Sequence, residues 1–401
     1  MSWTNVTVGD AFDFVRNGKS IKQSKEVDGL PITRIETIAD RIVDPARVGY
    51  AGLNEAGNEQ WLLRKGDILF SHINSVDHIG KCAIYEGVPE KLIHGMNLLT
   101  LRPGRLLHPK FAYYVLSHDT FRARLLPFVN KAVNQASVST TNLKTLEMPL
   151  PPLNEQKRIA AILDKADQLR QKRRQAIALL DSLTQSIFLE MFGDPVKNDK
   201  SFAAGRISDW VEDFETGKNL APDPDNSDPL SYRVLKVSAV TSGIFKAEEA
   251  KALPKSYRAP LNHLIHKGDL LFSRANTAEL IGATAMVHTD YERIVLPDKI
   301  WRFAWNAKNK PNPLFVHGMF SSSSFRGEIS KRATGTSGSM KNISKEKVLN
   351  IHIGMPERQL QDDFAKRIEA TQRCRLKCEN QLNVLEAHFS SLQHRAFSGQ
   401  L

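Results

Sequence analysis

Two stretches of the chain carry apolar residues at heptad spacing and no Gly or Pro. The first, Asn154 to Phe192, places Ile159, Ala166, Leu180 and Ile187 in one column and Ile162, Leu169, Ala176 and Leu183 in the next. Pro151 and Pro152 precede it, Asn154 is suited to cap it, and Gly193-Asp194-Pro195 ends it. At about 1.5 Å per residue such a helix is roughly 55 Å long, and a narrow apolar seam of that length needs a partner helix. The second stretch, Glu357 to Phe397, supplies one: Phe364, Ile368, Thr371, Cys378, Leu382, Leu385, Phe389 and Leu392 recur at alternating steps of three and four. Pro151, Gln156, Ile159, Leu180, Ser186, Ile187 and Phe192 align with Pro356, Gln361, Phe364, Leu385, Ser391, Leu392 and Phe397, so one element is written twice.

The segments before each helix are also duplicated. Short apolar runs between Gly, Asn and Pro, such as Ile68-Leu69-Phe70 and Leu98-Leu99-Thr100-Leu101, read as strands, and Lys110 to Leu126 reads as helix. Lys65-Gly66-Asp67-Ile68-Leu69-Phe70-Ser71 matches Lys267-Gly268-Asp269-Leu270-Leu271-Phe272-Ser273. In the same order Asp10, Gly18-Lys19, Asn74, Ile79-Gly80, Ser137, Ser139 and Asn142 match Asp209, Gly217-Lys218, Asn276, Ile281-Gly282, Ser337, Ser339 and Asn342. The pattern predicts a mixed α/β protein built as a tandem pseudo-symmetric duplication. Its segments are a first domain (1–153), a long helix (154–196), a second domain (197–356) and a second long helix (357–401), with the helices paired antiparallel. The expected seam is Ile159, Ile162, Leu169, Leu180, Leu183 and Ile187 against Phe364, Ile368, Cys378, Leu382, Leu385, Phe389 and Leu392.

The matched residues are turn formers and strand residues. Between them, Asp40–Gln60 against Val240–Leu261 and Pro103–Val133 against Ala307–Gly335 are nearly unrelated, which is how a recognition module with a constant scaffold and variable loops reads. Composition sharpens this. The 401 residues carry a net charge of +11, favouring a polyanionic partner. Three cysteines point to a reducing cytoplasm, and neither a bilayer-spanning apolar run nor a signal-like start is expected.

Motifs for chemistry fail. No [DN]PP[YF] methyl-transfer sequence and no P-loop is present, Asn312-Pro313-Leu314-Phe315 being the nearest to the former. Pro222-Asp223 with Glu249-Ala250-Lys251 has the outline of a metal-dependent nuclease motif but no counterpart in the first half. Cys374 and Cys378 are half of a metal site at most, and core packing explains Cys378 better. The basic band Gln168–Gln175 suits either a solvated face or contact with phosphate or an acidic partner. Side chains able to read base edges or touch phosphate recur in corresponding loops. They are His72, Asn74, Asn130, Lys131, Asn134 and Gln135 in the first half, and Arg274, Asn276, Lys331, Arg332, Thr336, Ser339 and Lys341 in the second.

PLPPLNEQKRIAAIL at the first long helix, KGDILFS and KGDLLFS, GTSGSMKNIS and the terminal AFSGQL together resemble the specificity subunit of type I restriction–modification enzymes, over essentially the whole chain. The second copy departs from the first, reading MPERQLQ. The resemblance implies two target-recognition domains, each reading one half of a bipartite asymmetric site in double-stranded DNA. The helices would fix their separation and dock two methyltransferase subunits, with motor–nuclease subunits completing the complex. S-adenosylmethionine, ATP and Mg belong on those partners and none on this chain. The competing expectation is a DNA-acting enzyme, a nuclease or methyltransferase with an unrecognised site. A third is a coiled-coil scaffold without a DNA role, which the charge and the paired domains oppose.

Overall fold

The computed structural model describes residues 3–24, 27–132, 135–335 and 340–401. The long helices run from Leu153 to Phe192 and from Arg358 to Phe397. The first begins one residue before Asn154, directly after the Pro pair, so Asn154 lies inside the helix instead of capping it. Gly193 adopts φ 65°, the left-handed conformation that closes a helix. Compactness groups the chain differently from four consecutive segments. One unit is residues 1–174 with 380–401, the other is 175–379, and each holds a domain with one half of each long helix.

The first unit is built on a four-stranded antiparallel sheet in the order Phe12–Asn17, Leu98–Pro103, Ile68–Ser71, Cys82–Ile84. All four residues of Ile68–Ser71 are buried because the sheet is covered on both faces, which is why the run reads as continuously apolar. Ile68, Phe70, Leu99 and Leu101 pack with Phe111, Phe121 and Leu125 of two short helices and with Ile159, Leu163 and Phe389 of the long ones. Leu69, Ala83 and Leu98 face a second core with Ile38, Val48 and Leu92.

The second unit repeats this sheet as Val211–Thr216, Ile300–Trp305, Leu270–Ser273, Thr284–Met286, with a register shift near the start of its first strand like that of the first unit. The repetition extends into segments that share no sequence. Arg233–Leu235 pairs antiparallel with Ala250–Ala252 and parallel with Ile294–Val295. In the first unit the same pairings survive as single bridges, Ile32 with Gly49 and Ile32 with Ile93.

The duplicated motif residues are the joints of this scaffold. In each KGD turn the Gly has positive φ (Gly66 97°, Gly268 91°), which L side chains seldom adopt. The following carboxylate accepts a backbone N–H at 2.8 Å, Asp67 from Arg64 and Asp269 from His266. It also meets an arginine of the neighbouring strand. Arg102 binds Asp67 in bidentate fashion at 2.7 and 2.6 Å, whereas Arg302 reaches Asp269 at 3.2 Å and Glu215 as well. Gly18 and Gly217 sit where a Cβ would lie 2.2 and 1.7 Å from a carbonyl oxygen. Buried Gln156 accepts the N–H of His108 (2.7 Å) and donates to the carbonyls of Leu106 and Pro151 (2.9 and 2.8 Å). Gln361 does the same with Asn312 N–H (2.8 Å) and Pro356 carbonyl (2.9 Å).

Candidate nucleic-acid interface

The candidate base-reading residues converge on a small second sheet in each unit. In the first unit Ile73–Asn74 pairs with Gln135–Ser137, which pairs with Asn130–Ala132. In the second, Ala275–Asn276 pairs with Lys341–Asn342, and Thr334 bridges Asn342. His72, Asn74, Asn130, Lys131 and Gln135 are therefore brought together, as are Arg274, Asn276 and Lys341. Asn134, Thr336 and Ser339 lie outside the described residues.

Proximity does not make every candidate available. His72 is buried, and desolvation pushes its pKa down to about 4, so it is neutral and faces no groove. Asn74 and Asn276 hold turns: each donates to the serine three residues earlier (Ser71, 3.2 Å; Ser273, 3.5 Å) and accepts the next residue's N–H (2.8 and 2.9 Å). Their duplication belongs to the scaffold. Arg274 donates through Nε to the carbonyl of Asp298 at 2.7 Å and lies beside the Trp301 ring. Arg332 is paired with Glu328 at 2.6 Å along its own helix. Lys131, Gln135 and Lys331 are exposed, and Lys341 is half-buried, its ammonium 3.5 Å from the carbonyl of Ser330.

The helix seam also differs from expectation. Within the first unit Ile159, Ala160 and Leu163 are buried, and within the second Phe188 and Phe192 are. Leu169 is 50% exposed and Leu183 42% exposed, so both face away from the seam in this chain, while Ile162, Leu180 and Ile187 are half-buried. The cause is the ideal helical period: at about 3.6 residues per turn the buried stripe drifts away from a strict heptad column. In the second long helix Phe364, Ile368, Cys378 and Phe389 are buried and Leu382, Leu385 and Leu392 half-buried. Phe111 meets Phe397 in the first unit (centroids 6.1 Å apart), and Phe315 meets Phe192 in the second (4.7 Å). In each unit the two half-helices run antiparallel, with Arg170 and Arg174 on Glu386 in one and Arg375 on Asp181 in the other. The basic band is thus partly consumed within the helix pair, although Lys172 is exposed.

The nuclease outline does not assemble. Glu249 is paired with Lys236 at 2.6 Å and accepts from Ser238 at 2.7 Å, and Asp223 accepts the N–H of Asp225 in its own loop. Among the described residues no three His, Cys, Asp or Glu side chains are grouped to hold a metal ion, and no helix is long and apolar enough to cross a membrane. Cys374 is exposed and Cys378 buried.

Sequence reasoning missed Arg122 and Arg326. Each reaches from a short helix to a loop carbonyl beside the small sheet, Val76 at 2.9 Å and Glu279 at 2.7 Å. They stand at corresponding positions inside stretches that otherwise share little, and the repeated Phe-Arg pair, Phe121-Arg122 and Phe325-Arg326, is the signal that could have found them.

Residues 1–179 match the family model described as "Type I restriction modification DNA specificity domain". The chain is similar to the putative type I restriction enzyme MjaX specificity subunit of Methanocaldococcus jannaschii, 42% identical over 215 residues, which are 53% of this chain and 51% of that protein. It is also similar to the type I restriction enzyme EcoKI specificity subunit of Escherichia coli K12, 22% identical over 93% of this chain and 83% of that one. The chain therefore spans about half the length of the first of these relatives and most of the second. Its fold is similar to the crystal structure of a type I restriction–modification system S subunit from M. genitalium, with a TM-score of 0.59 and 14% identity over 99% of this chain and 96% of that one. A second solved structure, from work on complex assembly and conformational transition of the type I R-M system, gives a TM-score of 0.55 at 14% identity over 100% of this chain and 98% of that chain. The comparisons thus liken residues 1–179 to the type I restriction modification DNA specificity domain, and most of the chain to type I restriction enzyme specificity subunits.

Proposed function

We propose that the chain is the non-catalytic DNA-specificity subunit of a type I restriction–modification complex. Each domain reads one half of a bipartite, asymmetric site in double-stranded DNA. The observation that carries this is a scaffold repeated joint by joint, down to Gln156 and Gln361, around loops whose side chains differ. Equivalent scaffold surfaces suit two copies of one partner, two methyltransferase subunits, while dissimilar loops suit two different half-sites. Motor–nuclease subunits complete the assembly. Lysines such as Lys131 supply the sequence-independent phosphate term, and loop side chains supply discrimination. The chain binds no cofactor itself; S-adenosylmethionine, ATP and Mg act on the partner subunits. It works in the cytoplasm, where the genome is and where its cysteines stay reduced.

The test is selection of the full chain, alone and with its methyltransferase partner, against random duplex DNA, followed by methylation mapping in cells carrying both. A split motif modified on both strands is the expected result. Enrichment of one continuous motif, or cleavage or methylation by the chain alone, overturns the assignment.

A further inference from the structure

Each unit carries a short loop in the same hydrogen-bonded frame, beside the small sheet. In the first, the Ser75 carbonyl accepts the N–H groups of His78 and Ile79, both at 3.0 Å, and Gly80 N–H returns to the Ser71 carbonyl at 2.9 Å. In the second, the Thr277 carbonyl accepts from Leu280 and Ile281 at 3.1 and 2.9 Å, and Gly282 returns to Ser273 at 2.8 Å. Asn74 and Asn276 fasten one end of the frame, and Arg122 and Arg326 clamp a carbonyl within it. Gly80 and Gly282 adopt φ of 82° and 79°, and a Cβ at Gly282 would lie 2.7 Å from the Ile329 side chain, so the frame has little room to shift.

What this frame displays is not constant. The tips are Asp77-His78 and Glu279-Leu280, all four exposed. Both present a carboxylate at the same place, in a protein of net charge +11. Each loop leaves a small sheet that carries a lysine: Asn74 is opposite Ala136, itself opposite Lys131, and Asn276 is opposite Lys341. A carboxylate at a DNA surface is repelled by phosphate and is favourable where it accepts from an exocyclic amino group. In the major groove Asp and Glu accept from the N4 amino group of cytosine, whereas Asn and Gln pair with adenine.

Building on the DNA-specificity assignment above, we propose that loops 75–78 and 277–280 enter the major groove. Asp77 and Glu279 are specificity-determining residues, each accepting from the N4 amino group of a cytosine, one in each half-site. Arg122 and Arg326 are positioning residues that hold the loop carbonyls and so aim the tips. Lys131 and Lys341 lie beside them on the phosphates.

The experiment is selection from duplex DNA with both half-sites randomised, using full-length wild type, Asp77→Asn, Glu279→Gln, Arg122→Ala and Arg122→Lys. Wild type is expected to enrich a split site with a cytosine in each half. Asp77→Asn should exchange one of these for adenine, by roughly ten- to a hundredfold in relative preference, and leave the other half as it was. Glu279→Gln should do the same in the opposite half. Arg122→Ala should flatten preference at the Asp77-dependent position alone, and Arg122→Lys, which can still donate to the Val76 carbonyl, should restore part of it. Both tip substitutions are at exposed positions, so their thermal melts should match wild type and any altered preference is not unfolding. If wild type enriches a split site and both amide variants enrich the same bases, the loop proposal is wrong and the specificity assignment stands. Uniformly tighter binding without a base change would place the carboxylates near phosphate only and also overturns it. If wild type enriches no sequence, the specificity assignment fails and the proposal with it.

Discussion

The guanidinium of Arg170 lies over the ring of Phe389, 4.0 Å from its centroid, joining the first long helix to the second within the first unit. Asp167 and Glu386 hold it there at 3.0 and 2.6 Å, and only 13% of its side chain is exposed. A cation occupies a seam position because its charge is matched and its stem packs as an apolar side chain does. Arg170→Ala should therefore destabilise the first unit by about 1–2 kcal/mol and leave the salt dependence of DNA binding unchanged. Lys131→Ala should do the reverse, reducing the slope of log affinity against log salt by about one. Hydrogen exchange and a salt titration read the two effects separately.

Gln156 and Gln361 make a second pair of predictions. Removing the Gln156 amide leaves a backbone N–H and two carbonyls without partners in a buried place. Gln156→Ala should cost about 3 kcal/mol, seen as faster exchange in Leu98–Pro103 but not in Ile300–Trp305. Gln361→Ala should give the mirror result.

Three desolvated histidines set an acid limit. Desolvation holds buried His72 and His94 and half-buried His317 near pKa 4, below the ordinary 6.5, so the folded protein resists a proton that the unfolded chain accepts. Stability should be level above about pH 6.5 and decline as pH falls from there toward the folded value. His317→Asn should flatten the decline for the second unit. His72→Ala should alter stability and leave base preference unchanged, the reverse of what its place beside Asn74 first implies.

If the paired helices set the distance between half-sites, one heptad added to each at matching points lengthens the spacer by about 10 Å. The preferred gap should widen by roughly three base pairs at about 3.4 Å each, with the bases read unchanged. Affinity should fall even at the new optimum, because three base pairs turn the duplex by roughly 100° while a heptad drifts a straight helix by about 20°. Selection from half-sites at varied gaps measures this, and an unchanged gap in a folded variant points to another ruler.

The duplication, the long helices and the strand runs were legible because they rest on local signals: periodicity, turn glycines and repeated words such as KGD. The seam was half legible. Leu169 satisfies a heptad column and yet is half exposed, while Arg170, one residue on, takes the seam position and meets Glu386 from a distant part of the chain. His72 and Arg332 carried the right chemistry in the right neighbourhood, but burial of the one and Glu328 beside the other are properties of the fold. Arg122 and Arg326 share only the short word Phe-Arg (121–122 and 325–326), too brief to single out until the fold shows each holding a loop carbonyl.

The division of each long helix between the two units has a consequence for synthesis on the ribosome. Residues 175–379 form a continuous stretch, so the second unit has every part it needs once Glu379 has emerged. The first unit, begun at the amino terminus, waits for residues 380–401, whose Phe389 and Phe397 cover Tyr114 and Phe111. The domain translated before residue 175 is thus completed after the unit that follows it, and until then its aromatic face stays open to chaperones or to a neighbouring nascent chain. Truncation before residue 380 would injure the unit built from residues 1–174 and not the one that lies nearer the cut.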